Sequence, residues 1–517
     1  MKTRDARRWW ALAAVSLGVL AVGLDGTVLT VALPTLARTL HASESDLQWF
    51  TSGYFLVLAA AMLPAGLLGD RFGHKKVLAI ALGLFGLGSV ACAYSTSVGE
   101  FLAARVLLGL AGAGVVVMAI SALTVLFGKA ERPKAVGIWA AANFLSLPIG
   151  PILGGWMLSH FWWGWVFLIN APVAAIGVVA LITLVPESRA TQRPGFDAIG
   201  VALSVTGLVG LTYGFIEAGE KGWGDATALL AMLMGVVVLV AFGAWERRLS
   251  RRPGGHPLLD LSLFHSASFT WGVILAAFAV LAMIGVLFTM PQYFQGVLGA
   301  DAMGSGVRLL PVILGLVLGA VPAERIVRVA GAKLVAAAGF LLLAGGLLAG
   351  STTGADSSTV FTAVWMAVAG MGLGLALSTA TSAALVELSE ERSGVGSAVL
   401  QAVNKIGGPF GTAILGSALS SVYLSRVVLT GLPATAAAAV RRSVFSGVAV
   451  AQQEGSASLL RSVRGAFTEG IDTALDVSAG IAIVGLVLTL LFLPRSNAVQ
   501  DNHPVQRDQG RELAGVR

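Results

Sequence analysis

The sequence L-G-V-L-A-V-G-L-D-G-T-V-L-T-V-A-L-P, residues 17–34, is an apolar run long enough to cross a bilayer as a helix. It carries a single acid, Asp25. A charged side chain at membrane depth costs roughly 2.5–3.5 kcal/mol, so such residues usually face a protein interior or a watery cavity. We therefore predict that Asp25 binds a proton or a cation. The alternative is that Asp25 lies near the outer interface, where solvent alone satisfies it.

The composition predicts an all-α integral membrane protein. The 517 residues are 56% hydrophobic and 12% charged, whereas a soluble protein carries about 25% charged residues. Apolar segments of about 20 residues recur along nearly the whole chain, as in polytopic helical membrane proteins. The net charge of +7 resides in the loops between these segments. It is therefore expected to set topology and to contact the lipid bilayer, and no nucleic-acid partner is predicted.

We predict fourteen spans in a six, two, six arrangement. The predicted spans are 10–33, 49–69, 77–96, 101–127, 136–158, 165–185, 197–217, 226–246, 267–290, 305–323, 332–351, 360–382, 396–424 and 476–494. In chain order, the predicted parts are a short N-terminal segment (1–9), an N-terminal six-helix bundle (10–190), two extra spans with their flanking loops (191–255), a C-terminal six-helix bundle (256–495) and a polar tail (496–517). The tail is expected to be disordered.

The loops alternate in charge, which predicts the orientation. One set of loops carries most of the basic residues, and its short alternates carry only Arg38 and Lys221. By the positive-inside rule both termini are cytoplasmic and the protein lies in the cell membrane. The basic loops contain Arg7, Arg8, Arg71, Lys75, Lys76, Lys129, Arg132, Lys134, Arg189, Arg193, Arg247, Arg248, Arg251, Arg252, Arg325, Arg328 and Lys333.

A long segment, 425–475, breaks this charge pattern. It is predicted to be external although it carries five arginines, because long translocated segments obey the charge rule poorly. We expect a plain solvated loop; the alternative is that its Ala-rich parts form short helices at the outer face. The arginines are Arg426, Arg441, Arg442, Arg461 and Arg464.

The loop between the second and third spans reads G-L-L-G-D-R-F-G-H-K-K-V, residues 66–77. Gly66 permits close helix approach and Gly73 permits a tight turn. Asp70 is placed to meet the positive N-terminal end of a helix in the other half of the chain, which would hold one conformation. The basic residues expected to anchor the cytoplasmic side are Arg71, Lys75 and Lys76.

The fourth span, F-L-A-A-R-V-L-L-G, carries a second intramembrane charge, Arg105. An isolated guanidinium would be costly there, so a partner is expected, and Asp25 is the only acid clearly inside a span of the first half. A nearby cation favours the ionised carboxylate, so separating the pair would change its proton affinity. The alternative is that Arg105 faces a lipid headgroup.

The fifth span contains S-L-P-I-G-P-I-L-G-G, residues 146–155. Its prolines remove helix hydrogen bonds, and its glycines let a neighbouring backbone pack closely. This pattern predicts a bent helix with a smooth face; a structural kink without directional meaning is the alternative. The residues concerned are Pro148, Gly150, Pro151, Gly154 and Gly155.

Together these motifs resemble those of the major facilitator superfamily, and in particular its fourteen-span drug:proton antiporters. Residues 66–77 match the signature loop G-x-L-x-D-R-x-G-r-k, and residues 146–155 resemble the antiporter motif G-P-x-x-G-G. Arg105 and Gly109 match R-x-x-q-G, with Leu108 in place of the glutamine. The first-span motif around Asp25 and W-G-W-V-F-L-I-N-A-P, residues 163–172, extend the resemblance over most of the chain.

The resemblance implies a two-bundle transporter that exports hydrophobic small molecules, such as drugs or antibiotics, in exchange for protons. It implies proton coupling through Asp25 and Arg105, no cofactor, and a monomer. The second half departs from the family pattern: Arg308 and Lys405 make it cationic and leave no clear mid-membrane acid, which weakens any prediction of dicationic substrates.

Five residues are candidates for a substrate cavity, although packing explains each of them equally well. They are Trp49, Tyr54, Asn143, Tyr293 and Gln401. The sequence contains no G-x-x-x-x-G-K-[ST] motif, and its six His and one Cys lack metal-ligand spacing, so we predict neither enzymatic activity nor a metal site. A metabolite exporter or importer, a proton-independent facilitator and, last, a non-transporting receptor remain as alternatives.

Overall fold

A computed structural model of the protein describes residues 2–127, 131–185, 187, 197–252, 255, 257–258, 261–386 and 390–494. The structure is built from helices joined by short connections. The helices are α1 (Lys2–Thr39), α2 (Glu44–Phe72), α3 (His74–Ala93), α4 (Val98–Leu126), α5 (Arg132–His160), α6 (Trp165–Leu168), α7 (Asn170–Leu184), α8 (Ala198–Lys221), α9 (Ala226–Ser250), α10 (Ala267–Gln292), α11 (Ala302–Arg308), α12 (Leu310–Ala330), α13 (Ala332–Gly350), α14 (Thr359–Val386), α15 (Glu390–Arg426), α16 (Ala434–Arg442), α17 (Val444–Gln453) and α18 (Ala457–Phe492).

Polar residues at the turns determine where the helices begin. Ser43 caps α2 in a capping box with Asp46, and Ser97 and Ser266 accept backbone N–H groups at the starts of α4 and α10. Successive long helices run up and down. We call the end at which α1 ends and α2 begins the distal end of the molecule, and the opposite end the proximal end.

The described residues include eleven helical stretches long and apolar enough to cross a membrane. Each overlaps one of the predicted spans. The three other predicted spans, 49–69, 136–158 and 396–424, lie within the long helices α2, α5 and α15. The all-helical membrane class is confirmed, and the count of fourteen spans stays a prediction.

The two extra helices pack differently from each other. Helix α8 contacts both α2 and α15, which belong to different bundles. A Cβ at Gly219 of α8 would lie 2.5 Å from the Ser417 Cα, and the Ser417 hydroxyl donates to the Phe215 carbonyl. Helix α9 packs on α8 and is only 11% buried over its most apolar stretch. Helix α8 is therefore part of the junction between the bundles, while α9 presents most of its apolar surface outward.

The segment 425–475 is folded, so the expectation of a plain solvated loop is wrong. It contains α16 and α17, and α18 begins at Ala457 rather than near residue 476. Val440, Val444 and Val463 are 0–1% exposed and belong to the main apolar core. The Tyr423 hydroxyl donates to the Val440 carbonyl at 2.7 Å. The Ala-rich stretch forms α16, which packs on α17, and α17 in turn packs on α18.

Close helix packing in the C-terminal bundle depends on glycine, and α13 offers a matched test. A Cβ at Gly339 would lie 2.5 Å from the Ala376 backbone nitrogen of α14, whereas a Cβ at Gly345 meets nothing within 4 Å. We expect Gly339→Ala to destabilise the protein by about 1–3 kcal/mol because the helices must separate. We expect Gly345→Ala to be neutral or slightly stabilising. Thermal unfolding of purified protein in one detergent measures both; equal unfolding temperatures would contradict this packing.

Candidate functional site

The centre of the N-terminal bundle contains a buried ion pair. Asp25 of α1 is 2% exposed and Arg105 of α4 is fully buried. The Arg105 Nη1 donates to the Asp25 Oδ2 at 2.5 Å. The two residues are 80 positions apart in sequence, and the fold brings them into direct contact. A buried pair of this kind offsets its desolvation only when its geometry and further hydrogen bonds are good.

Helix α2 supplies the remaining contacts of Arg105. The guanidinium Nε donates to the Phe50 carbonyl at 3.1 Å. Its carbon lies 4.1 Å from the centre of the Tyr54 ring, well inside cation–π range. Gly109 of α4 makes this approach possible, because a Cβ there would lie 2.7 Å from the Tyr54 carbonyl oxygen.

The ion pair is single rather than bidentate. Among the described residues, Asp25 Oδ1 and Arg105 Nη2 have no hydrogen-bond partner. Burying such atoms without a partner costs free energy. The pair is thus held together by one charge-assisted bond, so a proton on Asp25 would weaken the connection between α1 and Arg105.

A cavity of about 330 Å³ lies between the two bundles next to this pair. Aliphatic and aromatic side chains from both halves line it, among them Phe55, Phe288 and Leu316. Its polar side chains are all neutral: Thr27, Thr30, Thr51, Tyr54, Ser146, Gln401, Asn404 and Thr412. No charged residue is present among the described residues that line the cavity.

Tyr54 separates the cavity from the ion pair. Its side chain lines the cavity, its ring lies over Arg105, and its hydroxyl donates to the Val22 carbonyl at 3.2 Å. Asp25 itself is not among the lining residues. A molecule in the cavity can therefore contact the tyrosine ring that lies over Arg105.

The glycines of the 146–155 motif pack α5 against two different partners. A Cβ at Gly150 would overlap the Thr27 side chain, and one at Gly154 would lie 2.8 Å from the Val28 Cγ1, both on α1. A Cβ at Gly155 would lie 2.6 Å from the Ala302 carbonyl oxygen at the start of α11, in the other bundle.

Proline and threonine complete this junction. Gly306 of α11 packs on the Pro151 carbonyl of α5. The Thr27 hydroxyl, two residues after Asp25, donates to the Ser146 carbonyl at 3.0 Å. The motif thus connects the helix that carries Asp25 to the opposite bundle.

The loop 66–77 is hydrogen-bonded to α7. The Lys75 Nζ donates to the Ile182 carbonyl at 2.8 Å, and the Arg71 side chain is exposed. Gly73 has φ 107°, which other residues rarely adopt. Gly66 packs on Val117: a Cβ added to Gly66 would lie 3.6 Å from the Val117 Cγ1. The side chain of Asp70 lies outside the described part of the structure, so its interhelix contact stays a prediction.

At the distal end, contacts between the bundles close the cavity. The Ser52 hydroxyl of α2 donates to the Pro409 carbonyl of α15 at 3.3 Å. The Gln295 amide donates to the Val31 carbonyl of α1 at 3.1 Å, and the Gln292 amide donates to the Glu44 carboxylate of α2 at 3.2 Å.

The structure shows which of the predicted cavity residues line the cavity. Tyr54 and Gln401 line the cavity. Trp49 and Tyr293 do not: Tyr293 lies at the distal end, where its hydroxyl donates to the Gly354 carbonyl at 2.8 Å. The side chain of Asn143 is not described. Sequence reasoning missed Thr412 and Thr51, because a threonine inside an apolar helix carries no pattern that distinguishes a cavity from packing.

Of the two cationic residues singled out in the second half, the structure describes one side chain, that of Arg308. Arg308 does not line the cavity; its Nη1 lies 2.8 Å from where a Cβ on Gly304 would be. Lys405 has no described side chain.

Comparison with known proteins establishes the family. The model of the Major Facilitator Superfamily matches residues 15–412, and the chain belongs to that superfamily of transporters. The chain is 32% identical over 496 residues to the tetracenomycin C resistance and export protein of Streptomyces glaucescens, covering 94% of this chain and 91% of the relative. It is also 32% identical over 497 residues to the multidrug efflux pump LfrA of Mycolicibacterium smegmatis, covering 93% and 96%.

Solved structures agree on the fold. A bacterial homologue of the human lysosomal transporter Spinster, inward-facing and unoccupied, superposes with a TM-score of 0.65 at 17% identity over 95% of this chain and 99% of that one. A D-xylose–proton symporter superposes with a TM-score of 0.60 at 16% identity, over 94% and 98%. The predicted major facilitator fold is confirmed.

A double-mutant cycle tests the buried pair. We expect Asp25→Leu and Arg105→Leu each to destabilise the protein by about 3–5 kcal/mol, because each leaves one buried charge without its partner. The double variant should lie closer to the parent than the sum of the two. Denaturant unfolding in detergent measures all four proteins. The exposed pair of Arg426 and Glu469, whose side chains are 65% and 54% exposed, is the control and should couple by about 1 kcal/mol or less. Additive losses at Asp25 and Arg105 would refute the coupling.

Proposed function

We propose that this protein is a proton-coupled antiporter that exports hydrophobic small molecules across the cytoplasmic membrane by alternating access. The observation that carries this proposal is the placement of Tyr54, which contacts a buried carboxylate–guanidinium pair on one side and a neutral cavity on the other. Relatives named for drug and antibiotic resistance or export support the same function. The protein acts as a transporter rather than an enzyme, and needs no cofactor.

The cycle follows from the ion pair. A proton on Asp25 neutralises the carboxylate and weakens its bond to Arg105. The guanidinium then keeps its contacts with Phe50 and Tyr54 of α2 but not with Asp25 of α1, so α1 and α2 are free to change their relative position. Loss of that proton restores the pair. Substrate in the cavity biases the same equilibrium because it presses on the Tyr54 ring.

Charge and energy limit the substrate. One proton entering across about 100 mV releases roughly 2.3 kcal/mol, and one pH unit adds about 1.4 kcal/mol. A neutral molecule exchanged for one proton can thus be concentrated roughly 500-fold, while a monocation has only the pH term, about tenfold. The cavity has neutral polar side chains and apolar walls, which supports neutral, zwitterionic or singly charged hydrophobic compounds.

We assign the proximal end to the cytoplasm, with both termini there, because the basic loops lie at that end. The contacts of Ser52, Gln292 and Gln295 close the distal side of the cavity. We therefore assign this arrangement to the state that exposes the cavity toward the cytoplasm. In this state Gly155 packs on the start of α11, so the smooth face of α5 supports closure toward the outside.

Transport in inverted membrane vesicles tests the proposal. Tetracenomycin C, puromycin, a dye panel and methyl viologen are added one at a time to an established pH gradient, and lumenal pH is followed by fluorescence. We expect at least one compound other than the dication methyl viologen to release protons, and Asp25→Asn to abolish that release because no carboxylate is left to carry the proton. Glu469→Gln, an exposed acid changed in the same way, should behave like the parent.

The outcomes of that experiment separate the alternatives. Release by several unrelated compounds indicates a multidrug exporter, and release by a single antibiotic indicates a narrow or self-resistance exporter. Transport that ignores the proton gradient and survives Asp25→Asn would indicate a facilitator and would end the antiport proposal.

Tyr54 provides a second test, of coupling rather than transport. We expect Tyr54→Leu to lower the number of protons released per substrate about 2- to 30-fold, because the cation–π contact with Arg105, worth about 0.5–2 kcal/mol, is lost. Tyr54→Phe keeps the ring and should keep the ratio. Phe288→Leu alters the cavity wall from the other bundle and should change binding and transport together. A proton-to-substrate ratio that is equal in Tyr54→Leu and Phe288→Leu would exclude Tyr54 from coupling.

A further inference from the structure

A second buried carboxylate lies far from the cavity, at the distal junction of the two bundles. Glu44 is the first residue of α2 and is 6% exposed. Its Oε1 accepts a hydrogen bond of 3.2 Å from the Nε2 of Gln292, the last residue of α10 in the opposite bundle. This is a contact between side chains of the two halves of the transporter, and one of its partners can be protonated.

Around Glu44, buried hydrogen-bond acceptors outnumber the available donors. Among the described residues, Glu44 Oε2, Gln48 Oε1 and Gln292 Oε1 are buried acceptors without a partner. Gln48 lies one helical turn after Glu44 on the same face of α2. The Gln292 amide also donates to the Phe288 carbonyl at 3.3 Å, so its donors are already used. Protonation of Glu44 would turn its Oε2 into an O–H donor for one of the two glutamine oxygens, whereas in a carboxylate Oε2 stays a buried acceptor without a partner.

Among the described residues no cationic side chain forms an ion pair with Glu44, and the N-terminal end of α2 next to it contributes only a partial positive charge. Asp46 of the same helix is bonded to Ser43, and Arg38 of α1 donates to the Pro34 carbonyl. From α15, Tyr423 is the titratable group near enough to sense Glu44, and its hydroxyl is donated to Val440.

The cation at the end of α15 is also engaged. Arg426 pairs with Glu469 at 3.0 Å. Glu44 precedes the apolar stretch 49–69 of α2, and its burial raises the pKa of its carboxyl to about 7.

We propose that Glu44 is a second proton-binding site of this transporter, and that its protonated form holds the two bundles together at the distal end. The proposal rests on the alternating movement of the bundles in the proposed function, but it does not require Asp25 to carry the coupled proton. When the bundles separate at this end, Glu44 is exposed to water and ionises. Closing the distal side therefore takes up one proton.

The direction of the pH dependence follows from linkage. The carboxyl has a raised pKa in the closed state, about 7, and an ordinary pKa near 4.5 when hydrated. The equilibrium constant for closure is then highest below about pH 4.5. It falls by up to about tenfold per pH unit between about pH 4.5 and 7, and it is constant above about pH 7. An acidic exterior would favour the distally closed state.

Distance measurements test this without any transport. The single native cysteine, Cys92, is buried and is replaced by alanine. Cysteines are introduced at Thr39, at the distal end of α1, and at Thr352, just after α13; both residues are exposed. Nitroxide labels on the protein in lipid nanodiscs then report the distance between the bundles by pulsed electron paramagnetic resonance, between pH 4.5 and 8.5. All variants carry Asp25→Asn, so that titration of the central pair cannot contribute.

We expect the population with the short distance to decrease as pH rises from 4.5 to 7 and to level off above. Glu44→Gln, which keeps a donor at all pH values, should hold the short distance over the whole range. Glu454→Gln, an exposed acid at the end of α17 on the same distal side, should titrate like the parent. A parent population that does not change with pH, or an unchanged titration in Glu44→Gln, would overturn the proposal. Because the measurement uses Asp25→Asn, its result is independent of whether proton antiport through Asp25 is correct.

Discussion

The buried pair of Asp25 and Arg105 imposes the main constraint on this structure. Two charges removed from water are tolerated only inside a closely packed protein environment, so α1, α2 and α4 must enclose them together. Gly109 allows α2 to approach α4, and this approach brings Phe50 and Tyr54 to Arg105. The packing of α1, α2 and α4 and the chemistry of the Asp25 carboxylate therefore depend on the same contacts.

Helix α1 connects that pair with the rest of the transporter. Residues two positions apart on a helix point to opposite sides, so Asp25 faces α2 and α4 while Thr27 faces α5. Thr27 and Val28 contact Gly150 and Gly154 of α5, and the next glycine of the motif, Gly155, contacts α11 of the other bundle. A change at the ion pair thus has a short packed route, of two helices, to the junction between the bundles.

The junction itself combines two kinds of contact. The α5–α11 contact depends on glycine and backbone, so it resists substitution but does not depend on pH. The contacts of Gln292, Gln295 and Ser52 are polar, and only the one with Glu44 contains a titratable group. Helix α8 adds a third element because it touches both α2 and α15, which the count of two separate bundles does not suggest.

Much of this could be predicted from the sequence, because long apolar helices and glycine–proline motifs are local patterns. These patterns were enough for the membrane class, for the eleven spans that the described residues also contain, and for the superfamily. The scarcity of intramembrane charge was enough to expect that Asp25 and Arg105 meet. Only the tertiary structure decided the rest. Tyr54 covers the pair, Tyr293 lies away from the cavity, residues 425–475 are folded and Glu44 is buried, because each of these depends on which helix surfaces meet, and residues distant in sequence determine that.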